Sequence, residues 1–315
     1  MLKKIKHNKY FLLGSILILI LIGISFFQFY QENFSYVSEY NKIKEYCYEE
    51  KMPEHEYCKV FKNKESLKSY IKNSDPHKLY KKYDAITLTS EIVRHTIFST
   101  LQYFSPLIIA LIVLGTIHNH FSSGMFENYL LRMKYKDYLK KNYKIAIKSA
   151  LIMPVSLIII FIISSIMSGF NFDLSNVDTS LSVYNEWKYN HFFLYGFIIC
   201  LIQFFISLLY ANIALYCCKQ NKNKIVAIIM SFIIFIVIDI FVYIGIYIIF
   251  LNKFLGLKEL SDYFNIAGYW FFDEGSNLII PLAISFLLQL ISFIFVINSF
   301  KSKEKVVLAY EKQIS

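Results

Sequence analysis

Residues 225–252 read IVAIIMSFIIFIVIDIFVYIGIYIIFLN, and Asp239 carries the one charged side chain in this run. A helix needs about 20 mainly apolar residues to cross roughly 30 Å of hydrocarbon. The run is rich in Ile, Val and Phe, and it lacks the polar–apolar alternation of a strand in a membrane β-barrel. The run is therefore predicted to cross a membrane as one α-helix.

Five further uncharged runs are as long or nearly so, at 10–31, 95–126, 149–172, 189–218 and 275–300. The 315 residues are 56% hydrophobic and only 18% charged, with a mean hydropathy of +0.44. Soluble domains are about 45–50% apolar and about 25% charged. This composition excludes an ordinary water-soluble globule and a disordered chain. The predicted fold class is an all-α polytopic membrane protein with six transmembrane helices.

The first apolar run is expected to be a retained span and not a cleaved signal. Four lysines precede it, as they would in a signal peptide. The apolar stretch 10–30 is longer than the 7–15 residues of a signal core, and bulky residues at 26–30 leave no small-residue cleavage site. Residues 1–30 are therefore interpreted as a cytosolic N-terminus and span one.

Charge between the spans predicts the orientation. The N-terminus, the loops 119–148 and 218–224 and the tail 300–315 together hold 18 basic and 4 acidic residues. The short loops on the other side, 170–190 and 251–277, hold 3 basic and 7 acidic residues. Since Lys and Arg stay cytoplasmic, both termini are predicted to face the cytosol. The net charge of +10 then reflects topology and not a nucleic-acid partner.

The membrane is expected to be a bacterial plasma membrane. The chain uses Lys, Asn, Ile and Tyr heavily, which is typical of proteins from AT-rich genomes.

The long segment 31–95 is predicted to lie outside the cytosol as a small, mainly helical extracytoplasmic subdomain. It holds 12 basic and 11 acidic residues and no apolar run long enough to span. Cys47 and Cys58 fall within it, and disulfides persist outside the cytosol. Two alternatives stay open, a disulfide between them or two unpaired, partly buried thiols. The other cysteines, Cys200, Cys217 and Cys218, are expected to be small apolar residues of span four.

Asp239 is the one ionisable residue expected at membrane depth, where a carboxylate costs about 2.5–3.5 kcal/mol on insertion scales. One hypothesis makes it a polar point on a substrate path, together with Gln203, Asn212 and Gln289. The alternative is an acid that hydrogen-bonds one of those three amides and so ties span five to span four or span six.

His118 and His120 are expected to be solvated at the end of span two. Their spacing points them about 200° apart on a helix, so they cannot share a metal there.

The stretch 121–145 is predicted to be one amphipathic helix at the cytosolic interface, because Met125, Tyr129 and Met133 follow i, i+4, i+8 spacing with charges on the other face. It could be a solvated basic face that enforces topology and binds anionic lipid headgroups. It could instead be a docking element for a cytosolic partner.

The sequence here resembles the permease subunits of ABC-2-type ABC transporters. In that family span two leads into a cytosolic Glu-x-Gly-Thr stretch, then Leu-Leu, then a basic segment before span three. Residues 124–132 (GMFENYLLR), followed by 134–138 (KYKDY) and 140–142 (KKN), are similar to this pattern, and Ser123 and Met125 depart from it. The layout is also similar, with six spans, a large outer segment after span one and an outer element at 259–274 that contains Tyr269, Trp270, Phe271 and Phe272.

The resemblance implies a half-channel that pairs with a second copy or a sister permease. It also implies a separate P-loop ATP-binding subunit, which would hold ATP and Mg and would dock under the 121–145 helix. The coupling residues it implies are Gly124, Phe126, Glu127, Asn128, Leu131 and Arg132. The sequence has no G-x-x-x-x-G-K-[ST] loop, which suits a permease that takes its energy from another chain. The expected function is export of a peptide, lipid or hydrophobic toxin, and not enzymatic catalysis.

Other function classes stay open. A membrane immunity or sensor protein that binds a ligand through 31–95 would suit the sequence and would act without an ATPase partner. An intramembrane enzyme is disfavoured, because no catalytic pair is expected at membrane depth. A secondary transporter would show clearer signs of inverted repeats and broken helices than this chain does.

Overall fold

A computed structural model describes residues 9–49, 51, 58–59, 64–73, 84–122, 128, 131–172, 190–221, 223–258, 263–264, 266, 278–302 and 306–307. The regular structure in these ranges is entirely helical, and none of the described residues lies in a strand. The α-helices are α1 Lys9–Ile43, α2 Lys64–Asn73, α3 Ala85–Arg94, α4 Thr96–Ser122, α5 Tyr135–Ala150, α6 Ile152–Met167, α7 Phe192–Gln220, α8 Lys224–Ile240 and α9 Ile279–Phe300. Two π-helical segments, π1 Lys44–Tyr48 and π2 Phe241–Phe254, continue α1 and α8.

Six helices are long and apolar enough to cross a membrane, as predicted. They are Lys9–Glu32, Thr100–His118, Tyr135–Met167, Phe192–Gln220, Lys224–Phe254 and Ile279–Phe300. The third one differs from its predicted range 149–172, because α5 and α6 together begin it at Tyr135. The fifth passes from α-helix to π-helix directly after Asp239 and Ile240. π-Helical turns are rare and are frequent at functional sites.

The beginnings of some of the six helices and the ends of others meet at one end of the bundle. Lys224 Nζ lies 4.0 Å from the Tyr10 ring centroid, which joins the beginnings of α1 and α8. The Tyr135 hydroxyl donates to the Phe300 carbonyl at 2.7 Å, which joins the beginning of α5 to the end of α9. We call this the basic end of the bundle, because Lys9, Arg132, Lys134, Lys219, Lys224 and Lys301 all lie on it or beside it.

The centre of the bundle is formed by α4 and α7. Two thirds of the apolar window of α4 is buried within the protein, against 17% for α9. The helix α7 packs against α4, α5, α6, α8 and α9. The outward side chains of α1, α8 and α9 are mostly apolar, which is the character that a lipid environment requires.

The helix of span one does not end at residue 31, where the sequence placed the start of a separate segment. It continues to Ile43 and then through π1, so α1 alone has 35 residues and is about 52 Å long at 1.5 Å per residue. About 20 residues suffice for a membrane span. The beginning of the 31–95 segment is therefore a rigid extension of span one.

A small second core closes the far end of this extension. Ile43, Cys47 and Leu67 are buried against one another, and the Tyr40 hydroxyl donates to the Ile71 carbonyl of α2 at 3.0 Å. Cys47 and Cys58 form a disulfide with a Cα–Cα distance of 5.3 Å. Of the two alternatives that the sequence left open, the structure has the disulfide. We call this group the satellite core.

We expect both cysteines of the satellite core to resist alkylation in the protein as it is isolated. Under denaturing conditions without reductant, maleimide should label Cys200, Cys217 and Cys218, the cysteines that are free in the structure. Reduction should then raise the number of labelled sites by two, as measured by intact mass spectrometry. Labelling of all five sites before reduction would contradict the disulfide.

The helix α3 belongs to the main bundle and not to the satellite core. Ile86, Leu88, Ile92 and Val93 are part of the main hydrophobic core, and α3 packs chiefly on α6. Its first amide, that of Ala85, donates to the Asn171 carbonyl at 2.8 Å beyond the end of α6. The sequence assigned these residues to the 31–95 subdomain, so the structural boundary lies before α3.

Candidate functional site

The connection between spans two and three contains the six residues that the family resemblance implies for coupling. Gly124, Phe126 and Glu127 lie outside the described residues. Asn128, Leu131 and Arg132 are described, and all three are exposed, Leu131 with 85% of its surface. Leu131 is thus a highly exposed apolar side chain at the basic end of the bundle.

The predicted single helix over 121–145 is wrong. The chain leaves helical geometry at Met133 and Lys134, where Lys134 has φ −64° and ψ 141°. The Lys134 carbonyl then accepts from the amides of Asp137 and Tyr138 at 2.9 and 3.1 Å, which starts the new helix α5. Asp137 in the first turn complements the positive end of the helix dipole. Apolar spacing alone missed the break because α5 resumes a four-residue repeat, shifted by one position, with Tyr138, Asn142 and Ala146 buried.

A polar cluster joins α5, α7 and α9 inside the bundle. The Asn212 side-chain amide donates to Ser292 Oγ at 2.8 Å, and Ser292 Oγ donates to the Gln289 carbonyl at 2.7 Å. The Tyr143 hydroxyl lies near the side chains of Gln289 and Asn212. We call these four residues the polar quartet. Hydrogen bonds between membrane helices contribute about 0.6 kcal/mol on average and up to about 1.7 kcal/mol.

The structure brings together two of the four residues that were predicted for the substrate path. Asn212 and Gln289 belong to the polar quartet, whereas Tyr143 and Ser292 were not predicted. Ser292 lies three residues after Gln289, on the same face of α9, so the spacing was a usable signal. Tyr143 carries no such signal, since the chain has 25 tyrosines.

Gln203 and Asp239 lie apart from these contacts. Gln203 is 1% exposed, and among the described residues its side-chain amide has no hydrogen-bond partner. Of the three amides that the sequence left open as hydrogen-bond partners of Asp239, Gln203 is therefore not the partner. Asp239 is half-buried at the junction of α8 and π2. A buried polar group without a hydrogen bond costs about 1–3 kcal/mol, which makes Gln203 a position where a polar ligand or water would be stabilised.

Beside the polar quartet, a cleft of about 310 Å³ opens between α4, α5, α7 and α9. Most of its lining surface is apolar, with a few polar and charged groups. Tyr143 belongs to both the cleft and the quartet. The lining residues are Ile117, Lys136, Leu139, Lys140, Asn142, Tyr143, Leu215, Cys218, Phe293, Val296, Ile297 and Phe300. Ligand pockets have this character, with apolar walls and a few polar groups that orient the ligand.

The sequence predicted a solvated His118, and this prediction is wrong: the side chain is only 3% exposed. Its Nε2 lies 3.1 Å from the Asn221 carbonyl, so Nε2–H donates and connects the end of α4 to the end of α7. Sequence reasoning placed it correctly at the end of span two but could not show that the loop after α7 covers it. The side chain of His120 lies outside the described residues.

Cys217 and Cys218 are buried, and Cys200 is half-buried. Within the described ranges, no group of three or more His, Cys, Asp and Glu side chains could hold a metal ion.

In comparisons with known proteins, no family model, no curated protein and no solved structure matched this chain. What the chain does is therefore inferred from its own residues and contacts.

Proposed function

We propose that this chain is the membrane-spanning permease subunit of an ATP-driven ABC transporter in a bacterial plasma membrane. A separate ATP-binding subunit would hold ATP and Mg and would supply the energy. A second copy of the chain or a sister permease would complete the transport path. The cargo class is a peptide, a lipid or a hydrophobic toxin, moved outward.

The observation that carries this proposal is the exposed segment Leu131–Arg132 at the basic end. It lies between spans two and three, where the resemblance to ABC-2-type permeases places the coupling residues. The break at Lys134 separates this segment from α5, which is the first part of the third apolar helix. A push on the segment by a partner subunit would reach α5 and, through Tyr143, the polar quartet.

The polar quartet and Gln203 suit a path for an amphipathic cargo. They place amide and hydroxyl groups inside a bundle that is otherwise apolar, and both Gln203 and Asn212 are almost fully buried on α7. Polar side chains within a membrane bundle are costly and mark substrate pathways. In this proposal Asp239 lies beside the path and not in the quartet.

The test is co-purification in mild detergent from native membranes. We expect a P-loop ATPase to co-elute with the wild-type chain, and Leu131→Asp together with Arg132→Glu to reduce its yield at least tenfold. Leu257→Asp is the matched control, because Leu257 is 45% exposed beyond the end of π2, on the predicted outer side. Absence of any ATPase from the wild-type preparation, or an equal loss with Leu257→Asp, would overturn the proposal.

A second candidate function is a non-transport immunity or sensor protein that binds a ligand through 31–95. The satellite core favours it, since a disulfide and a packed helix α2 make a small stable unit at the end of a long helix. Near this core Glu45 accepts a hydrogen bond from Lys51 at 2.8 Å and raises the pKa of Lys51 above its usual range. This function predicts activity that persists in cells from which the ATPase has been deleted.

A further inference from the structure

One face of α5 carries a stripe of lysines. Lys136, Lys140, Lys144 and Lys148 follow one another at four-residue spacing, and all four are exposed. The other face of the same helix packs into the bundle through Tyr138, Asn142, Ala146 and Ser149. Side chains four residues apart lie on the same side of a helix, so the stripe is one continuous band of positive charge.

Only the first two lysines of the stripe border the apolar cleft. Lys136 and Lys140 line it together with Leu139 and Tyr143. Among the residues that the structure describes, neither lysine forms an ion pair. The cleft therefore combines two available ammonium groups on one side with apolar walls from α4, α7 and α9 on the others.

We infer that this cleft binds one anionic phospholipid, with the headgroup phosphate between Lys136 and Lys140 and part of an acyl chain along the apolar walls. The charge arrangement commits the site to this ligand class. A neutral apolar ligand would leave the two ammonium groups unused, and a free phosphate would leave the apolar walls unfilled. Basic pockets between membrane helices on the cytoplasmic side recognise anionic headgroups in this way.

The positive charge of the two lysines, and not the apolar wall, determines the preference of the cleft for anionic over zwitterionic lipids. An acyl chain is already in an apolar environment in the bilayer, so its transfer into the cleft gains little. Each basic side chain near an anionic lipid contributes about 1 kcal/mol, which is about a fivefold gain in binding. Two lysines therefore give roughly a 25-fold preference for an anionic lipid over a zwitterionic one.

The inference does not rest on the transport proposal, and its test uses the full chain alone, without ATP or a partner subunit. The purified chain would be exchanged into nanodiscs that contain phosphatidylglycerol in phosphatidylcholine, and retained lipid would be counted by native mass spectrometry. We expect one phosphatidylglycerol to be retained by the wild-type chain. Lys136→Ala with Lys140→Ala should reduce this retention roughly 25-fold.

Two matched variants separate the cleft from a general surface attraction. Lys144→Ala with Lys148→Ala removes the same charge from the same stripe away from the cleft, and we expect retention to fall less than threefold. Ile297→Trp fills the cleft from a position that is 48% exposed and leaves the charge unchanged, and it should reduce retention as strongly as the Lys136/Lys140 pair. The Ile297→Trp variant keeps the test valid if the lysine variants express poorly.

Three results would overturn the inference. Equal losses for the two lysine pairs would show a diffuse surface attraction. Equal retention of phosphatidylglycerol and phosphatidylcholine would show that the lysines do not select the ligand. Displacement of the lipid by millimolar inorganic phosphate would show a phosphate site without an acyl component.

Discussion

Replacing Asp84 by Ala is expected to lower the free energy of unfolding by about 2–4 kcal/mol. Asp84 is fully buried and caps α3, with Oδ1 accepting from the amides of Ile86 and Thr87 at 2.7 and 2.9 Å. Its Oδ2 accepts from the Thr87 hydroxyl at 2.6 Å. An N-cap alone contributes about 0.5–2 kcal/mol, and buried donors left without an acceptor cost about 1–3 kcal/mol more. SDS-titrated unfolding, followed by circular dichroism, measures the change.

The matched control for this prediction is Asp84→Asn. Asn is as good an N-cap as Asp and keeps one side-chain oxygen for the two backbone amides, so we expect a loss of less than about 1 kcal/mol. If Asn proved as damaging as Ala, the negative charge and not the capping geometry would be the stabilising feature. If Ala had no effect, α3 would not depend on its cap.

The structural consequence should reach beyond α3, because its two ends are tied to different spans. Its start bonds to Asn171 after α6, and His95 after its end lies 3.4 Å from Glu32 of α1. Loss of the cap is therefore expected to loosen the contact between spans one and three, and limited proteolysis between α3 and α4 should show it.

The sequence predicted the number and approximate position of the spans because run length alone determines them. About 20 uncharged apolar residues have no stable alternative in water, whatever their order. The same property hides which face of a span is buried, since an all-apolar helix shows no contrast between faces. The helix α3 was missed as part of the bundle for a related reason. Its sequence AITLTSEIVR is short and half polar, and the hydroxyls of Thr89 and Ser90 donate to the carbonyls of Ala85 and Ile86 in the preceding turn.

The site was predictable only where a residue type was unusual for its surroundings. Asn212 and Gln289 stood out as amides inside apolar runs, and the structure connects the Asn212 side chain through Ser292 to the main-chain carbonyl of Gln289. Asp239 stood out most, yet it lies outside this cluster. An unusual residue type indicates that a position is constrained, but it does not indicate which residue is its partner. The cleft left no pattern in the sequence, since its lining residues come from the four helices α4, α5, α7 and α9, which are distant from one another in the chain.

The contact between spans one and two depends on glycines, so larger residues at these positions are expected to destabilise the protein. The buried stripe of α1 is narrow, with Gly14, Ile18, Ile22 and Phe26 at four-residue spacing. A Cβ added at Gly115 of α4 would lie 2.5 to 2.9 Å from three atoms of the Tyr10 ring. One added at Gly14 would lie 2.5 Å from Ile112 Cδ1. Small residues let membrane helices approach closely, and here one glycine from each helix does so.

We expect Gly115→Leu to destabilise the protein by about 2–3 kcal/mol, near the upper end of the cost of overpacking a core. Tyr10 cannot yield cheaply, because the nearest atom is its Cγ, close to the backbone, and Lys224 lies over the same ring. Gly14→Leu should cost less, since Ile112, whose Cδ1 and Cγ1 would lie 2.5 and 2.9 Å from the new Cβ, can change its rotamer more easily than the Tyr10 ring can move. The two costs would be measured by SDS-titrated unfolding of the purified variants.

Gly23 provides the control within the same span. It is exposed, and a Cβ there would meet nothing within 4 Å, so Gly23→Leu should be neutral or should stabilise the helix by up to about 1 kcal/mol through the higher helix propensity of Leu. The expected order of stability is therefore Gly23→Leu, then Gly14→Leu, then Gly115→Leu. A Gly115→Leu variant as stable as Gly23→Leu would mean that α1 and α4 do not pack through these glycines.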